Sequence, residues 1–146
     1  MVQQSMSRIE QTIISNFFYN EEYTRRVLPF VKEEYFNNRT EAILFKEVFQ
    51  FVEKYNNLPT KEAISIELNT KRDINEEEFK LIKNYIGTIE STEVDTEWLV
   101  DTTEKFCKER AVHNAVLQGI KILDKKDKNN TPESIPHILS EALAVS

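Results

Sequence analysis

Few side chains in this 146-residue sequence could do covalent or metal chemistry. They are Cys107, His113, His137 and a run of carboxylates, Glu76-Glu77-Glu78. One cysteine and two scattered histidines do not make a zinc set, which takes four ligands from closely spaced pairs. Nor is there a Gly-x-Ser-x-Gly elbow, and both histidines fall on expected helices without a spaced serine or cysteine partner. Cys107 cannot form an internal disulfide and reads as a small apolar helix residue in a reducing compartment. His113 lies near the border of an apolar arc, where a packed or solvent-edge imidazole is the default. The glutamate run could serve a metal or an acid–base pair. Asn75, however, stands three residues before Glu78, the spacing of a capping box, and a helix's first turn favours negative charge. Capping is the simpler explanation.

The glycine count excludes the two glycine-rich nucleotide-binding loops. The sequence has only Gly87 and Gly119. A phosphate-binding loop needs two glycines five apart, and a dinucleotide fingerprint needs three close together. Nucleic-acid binding calls for a positive stripe. The basic clusters are Lys105, Lys108 and Arg110, then Lys121, Lys125, Lys126 and Lys128, with acids interleaved. A formal net charge of −6 opposes tight independent binding to DNA. Lys61–Glu97 is acidic, whereas Val100–Lys128 is slightly basic.

The elements that would position these residues are helical throughout. Apolar residues recur every three or four positions. Met6, Ile9, Ile13 and Phe17 form one stripe, flanked by Ile14 and Phe18. Asn20 suits an N-cap for a short helix through Val27, stopped by Pro29. After a brief segment at Glu33–Phe36, a helix carries Leu44, Phe45, Val48, Phe49, Phe51, Val52 and Tyr55 on one face. Asn56-Asn57-Leu58-Pro59 breaks it, and Thr60 caps a short helix bearing Ala63, Ile64 and Leu68. Phe79, Ile82, Tyr85, Ile86 and Ile89 mark the next. A long helix runs from about Asp95 to Leu123, ends at Asp124–Asn130, and is followed by a last helix near Pro136. Ile135, Ile138, Leu139, Ala142 and Leu143 line one side of that last helix. The fold class is therefore all-α: a compact helical bundle (1–94) followed by a C-terminal antiparallel helical hairpin (95–146).

On the long helix, Trp98, Val112, Val116, Ile120 and Leu123 cluster together. Val100, Ala111, Ala115 and Ile122 cluster on an adjacent face. The apolar arc between Ala111 and Leu123 spans roughly half the circumference, wider than one packing partner requires. Both faces can bury within the domain, or one can pack against another chain. No membrane span is present, since the longest apolar runs are four residues. Met1-Val2-Gln3-Gln4-Ser5 has neither the basic start nor the apolar stretch of a secretory signal, so a cytoplasmic location is expected.

The order of motifs resembles the opening of DnaB-like replicative DNA helicases. It runs through Ile9-Glu10-Gln11-Thr12-Ile13-Ile14, Glu34-Tyr35-Phe36, Leu44-Phe45-Lys46-Glu47, Pro59 before a short helix, and Lys108-Glu109-Arg110-Ala111. The T-even-type bacteriophage branch is similar through more of the chain. There the likeness includes Glu33-Glu34-Tyr35-Phe36, Trp98-Leu99-Val100, Thr103-Glu104-Lys105 and Ile135-Pro136 with Ala142-Leu143. Ser15, where cellular members often carry glycine, and the Thr70–Asn75 and Asp124–Asn130 connections depart from the pattern.

The resemblance implies a noncatalytic assembly and primase-docking domain in the collar of a hexameric ring, its hairpins pairing between subunits. It implies ATP and Mg²⁺ in a separate motor domain, with none bound here and the chain ending before the linker to that motor. The full-length protein would be an ATP-dependent 5′–3′ DNA helicase, working in the host cytoplasm if phage-encoded. Partners would be a second copy, primase and a helicase loader, with single-stranded DNA held mainly by the motor. The residues expected at the pairing surface are Phe106, Val112, Val116, Ile120, Leu123, Ile138, Leu139 and Leu143. Two alternatives remain: the helicase-binding domain of a primase, and a loader or single-strand-binding accessory protein.

Overall fold

A computed structural model describes residues 8–146, and the expectation that Met6 opens the first apolar stripe lies outside them. Seven α-helices and two 3₁₀ turns account for the regular structure of the described residues, which contain no strand. In order these are α1 (Ile9–Tyr19), α2 (Glu21–Val27), a turn at Glu33–Tyr35, α3 (Arg39–Tyr55), α4 (Lys61–Asn69), α5 (Glu76–Gly87) and α6 (Thr96–Leu123). A second turn at Pro132–Ser134 then leads into α7 (Ile135–Leu143). The chain is all-α.

Short polar side chains start most of these helices. Asn20 accepts from the Tyr23 N–H, Asn38 from Glu41, Thr60 from Ala63 and Asp95 from Trp98. Each satisfies a backbone donor that the helix cannot, and is worth about 1 kcal/mol. Asn75 and Glu78 form a reciprocal capping box, which accounts for one glutamate of the Glu76–Glu78 run. Glu78 also pairs with Arg39, which holds its carboxyl below the usual range.

The core is built around aromatic rings. Phe17 lies 5.9 Å from Tyr23 and 5.7 Å from Phe45. Phe36 lies 5.5 Å from Phe45 and 6.0 Å from Phe106. This chain of contacts joins α1, α2, α3, the first turn and α6, and such pairs add to the area they bury. Polar ties reinforce it. The Tyr23 and Thr103 hydroxyls meet at 2.6 Å in the buried α2–α6 contact, and Asn20 Nδ2 donates to Thr96 Oγ1 at 3.1 Å. Arg26 reaches Glu97 at the surface above them.

Helix α6 has two partners in succession. Leu99, Thr103, Phe106 and Cys107 in its first half are buried against the bundle. Ala111, Ala115, Gly119 and Ile122 in its second half are buried on the side taken by α7. The connection brings α7 back antiparallel. Ile135 Cγ2 would lie 3.7 Å from a Cβ on Gly119, while Ile138 and Ala142 line a crevice with Ala111 and Ala115. Small residues at these positions let the helices approach closely. One core cluster extends from Ile13 to Ala142, continuous across residue 95.

Candidate docking surface

The groups with chemical potential are individually accounted for. Cys107 is buried, and burial, with Glu104 nearby, pushes its thiol up to about 12, far from thiolate reactivity. His113 is exposed, and His137 is exposed beside Glu141 at 3.4 Å. Among the described residues, no group of three or more His, Cys, Asp or Glu side chains is arranged to hold a metal. No helix of the described residues is long and apolar enough to cross a membrane. A groove of about 410 Å³ lies between the end of α2 and the end of α3. It is lined by Leu28, Pro29, Phe49 and Val52, with Arg25 already committed to Glu21 and Asn56.

The outer side of α6 is different. Val116 is 47% exposed, Ile120 50% and Leu123 63%, with half-buried Val112 one turn earlier. At 100° per residue these four fall within one row; Val116, Ile120 and Leu123 are turned away from both the bundle and α7, while Val112 at its edge packs partly against the core. Trp98, on the same line four to five turns back, is exposed as well. Between them the row is interrupted by charged Lys105 and Glu109, both exposed. The row is apolar only from Val112 to Leu123, in the second half of the helix, where α6 runs beside α7.

The eight residues expected at a pairing surface separate into three groups. Val112, Val116, Ile120 and Leu123 come together in the open row, and Leu143 is 63% exposed on α7. Ile138 and Leu139 are half-buried and pack towards the core, so they support the hairpin more than they present a surface. Phe106 requires correction. It is buried against Phe36, because the first turn and α3 bring aromatic rings to that side of α6.

Two features escaped the sequence reading. Leu117 is 46% exposed on a further side of α6, next in line after residues that face the bundle. Glu41 is completely buried, accepting from both Arg8 Nη atoms and, at 2.7 Å, from Tyr85 Oη. A carboxylate at helical spacing from Phe45 and Val48, on the apolar face of α3, was the available signal for it.

Fold and surface together define an all-α bundle carrying a helical hairpin whose outer side is apolar and bare. The chain is similar to the DnaB-like replicative helicase of Enterobacteria phage T4, at 28% identity over 144 residues, 93% of this chain. That alignment covers 30% of the helicase's length, a share that fits an N-terminal domain of such a protein. No protein-family model matches the chain.

Proposed function

We propose that this chain is the noncatalytic N-terminal assembly and primase-docking domain of a phage hexameric replicative helicase. Its likeness to a replicative helicase over 93% of its length supports the class. The observation that carries the role is the bare row of Val116, Ile120 and Leu123 beside Val112. An aliphatic row along about three turns of helix, three of its four side chains exposed, is unfavourable in water, and burying it against the same row of a second copy removes that cost. An isologous contact of this kind needs only self-complementarity, which an apolar row has. The hairpin would then fix subunit spacing in the collar, and the bundle would present a platform to primase. A loader would act on the assembled ring. ATP hydrolysis, Mg²⁺ binding and the main grip on single-stranded DNA belong, in this reading, to a motor domain outside this chain.

Val116→Asp with Ile120→Asp tests the pairing. Both side chains are about half exposed, so the helical content by circular dichroism should be unchanged. Sedimentation of the wild-type chain should show concentration-dependent association that the double variant weakens at least tenfold. Identical monomer mass for both across a wide concentration range would reject pairing through this row. Retention of purified cognate primase by the immobilised chain, and its loss on a competing free chain, tests the docking role separately.

A further inference from the structure

The side of α6 that covers the bundle does not stop where the bundle stops. Leu99, Thr103, Phe106 and Arg110 succeed one another at spacings of four, three and four, and Leu117 and Lys121 continue the same line. At Asn114 the bundle still touches this helix, through Nδ2 donating to the Glu34 carbonyl at 3.2 Å. One turn further, Leu117 is 46% exposed and Lys121 is exposed. A face that is covered in its first half is bare in its second. This underside lies about 100° around the helix from the Val116 row, so it is a separate surface.

At the corner between covered and bare halves sits Arg110. Its Nε and Nη2 are buried and meet no hydrogen-bond acceptor among the described residues. Buried donors on a charged group are ordinarily paired, because leaving them unpaired costs the desolvation of the group. Further along, Lys121, Lys125, Lys126 and Lys128 are all exposed around the hairpin tip. The nearby Asp127 carboxylate is occupied locally, accepting from Asn129 N at 2.9 Å and Asn130 Nδ2 at 3.0 Å. Leu117 thus lies between Arg110 at the covered corner and Lys121, within a stretch, Val100–Lys128, of seven basic and five acidic residues on an otherwise acidic chain; exposed Asp124 follows Lys121 on the same line.

We propose that this underside of the hairpin docks an acidic amphipathic helix of a second protein. A carboxylate of that helix is taken by Arg110, which turns its unpaired edge outward, and an apolar side chain lies on Leu117. A second carboxylate one or two turns away meets Lys121. Glu33 and Glu34 flank the corner on the bundle side and are exposed, so the acidic side of the incoming helix lies over α6 and away from them. A nucleic-acid strand would satisfy the cations but would leave Leu117 facing phosphate. The inference is independent of the pairing proposed above, which uses a different side of α6.

The probe is a fluorescein-labelled helical peptide with leucines at every third or fourth position and glutamates flanking them, compared with the same peptide carrying lysines instead. The acidic peptide should bind the whole chain saturably and lose at least about tenfold in affinity between about 50 and 300 mM salt, because salt screens the exposed ion pairs that hold it. The lysine peptide should not bind. Leu117→Asp, Lys121→Glu and Arg110→Gln should each weaken the acidic peptide about tenfold. The first two positions are exposed, so their variants keep the fold if Arg110→Gln does not. Equal binding of both peptides, no saturation by the acidic one at millimolar concentration, or indifference to Leu117→Asp would overturn the proposal. So would tighter binding of an oligothymidine at this surface, or loss of self-association in Leu117→Asp.

Discussion

A single buried carboxylate ties three parts of the bundle together. Glu41 belongs to the first turn of α3, where its own N–H donates to the Asn38 cap at 3.0 Å. Its side chain accepts from Arg8, just ahead of α1, and from Tyr85 of α5. Burying an ion costs several kcal/mol, and only a full set of donors offsets that. Arg8 is partly exposed and can turn to water when its partner is lost, whereas the Tyr85 hydroxyl has less access to it. Glu41→Ala should therefore lower stability by about 2–3 kcal/mol and Tyr85→Phe by about 1–1.5 kcal/mol, read from urea unfolding with an unchanged slope. A Tyr85→Phe variant as stable as wild type would show that water already satisfies the carboxylate. The buried phenols and the thiol also set an alkaline limit. Burial pushes Tyr35 and Cys107 each up to about 12, and raises Tyr23 and, with help from the Glu41 carboxylate, Tyr85. The unfolded chain releases these protons first, from about pH 8.5 for a thiol and 10 for a phenol. Stability is thus intact below that range and falls as pH rises from about 9 towards 12. Calorimetry should show a melting temperature that drops steadily over that interval, and a flat profile to pH 11 would contradict the burial of these groups.

At the scale of elements, the hairpin turns on a strained residue. Lys126 N–H donates to Lys121 O at 2.9 Å and Lys125 N–H to Ile122 O at 3.0 Å, the paired bonds of a Schellman motif. The position between helix and loop must then be left-handed, and Lys125 occupies it with φ of 62°. Glycine is the usual residue there, because a Cβ in that region costs about 1 kcal/mol or more. Lys125→Gly should raise stability by about 0.5–1 kcal/mol in urea unfolding, provided α7 stays docked; a loss of stability would mean that the lysine makes a contact outweighing its strain. Most of the elements around it were legible in the sequence, and for local reasons. Asn20, Thr60 and Asn75 act as caps because a short polar side chain before an apolar period has one good use. The turn at Pro132–Ser134 was not legible, since it precedes α7 without an apolar rhythm of its own. Of the two left-handed helix ends, Asn56 falls in the Asn-Asn-Leu-Pro break and is a residue type that suits the conformation, whereas Lys125 gives no such signal.

Over the whole molecule, what decides the fate of an apolar residue on α6 is how far the bundle reaches. Helical spacing alone grouped Val112, Val116, Ile120 and Leu123 correctly, because that calculation needs no knowledge of neighbours. It could not tell that Phe106 would meet Phe36, a residue far away in the chain, nor that Leu117 would lie past the bundle's edge. Charge is divided along the chain as well, within a total of −6: Val100–Lys128 carries seven basic against five acidic residues, and Lys61–Glu97 five basic against ten acidic. A polyanion approaching the hairpin tip gains a few lysines and is repelled by the remainder of the molecule. Nonspecific DNA binding draws on released counterions, and each phosphate contact steepens its fall with salt. The few exposed lysines at the tip, Lys121, Lys125, Lys126 and Lys128, make that gain small. The chain should therefore leave the anisotropy of a labelled oligothymidine unchanged at 150 mM salt up to about 100 μM protein, at the weak edge of ordinary nonspecific affinity. Saturable binding at that salt, abolished by reversing the tip lysines, would make the hairpin a nucleic-acid contact and move the chain towards the accessory-protein reading. Binding confined to low salt and insensitive to those lysines would leave the docking role of the hairpin intact.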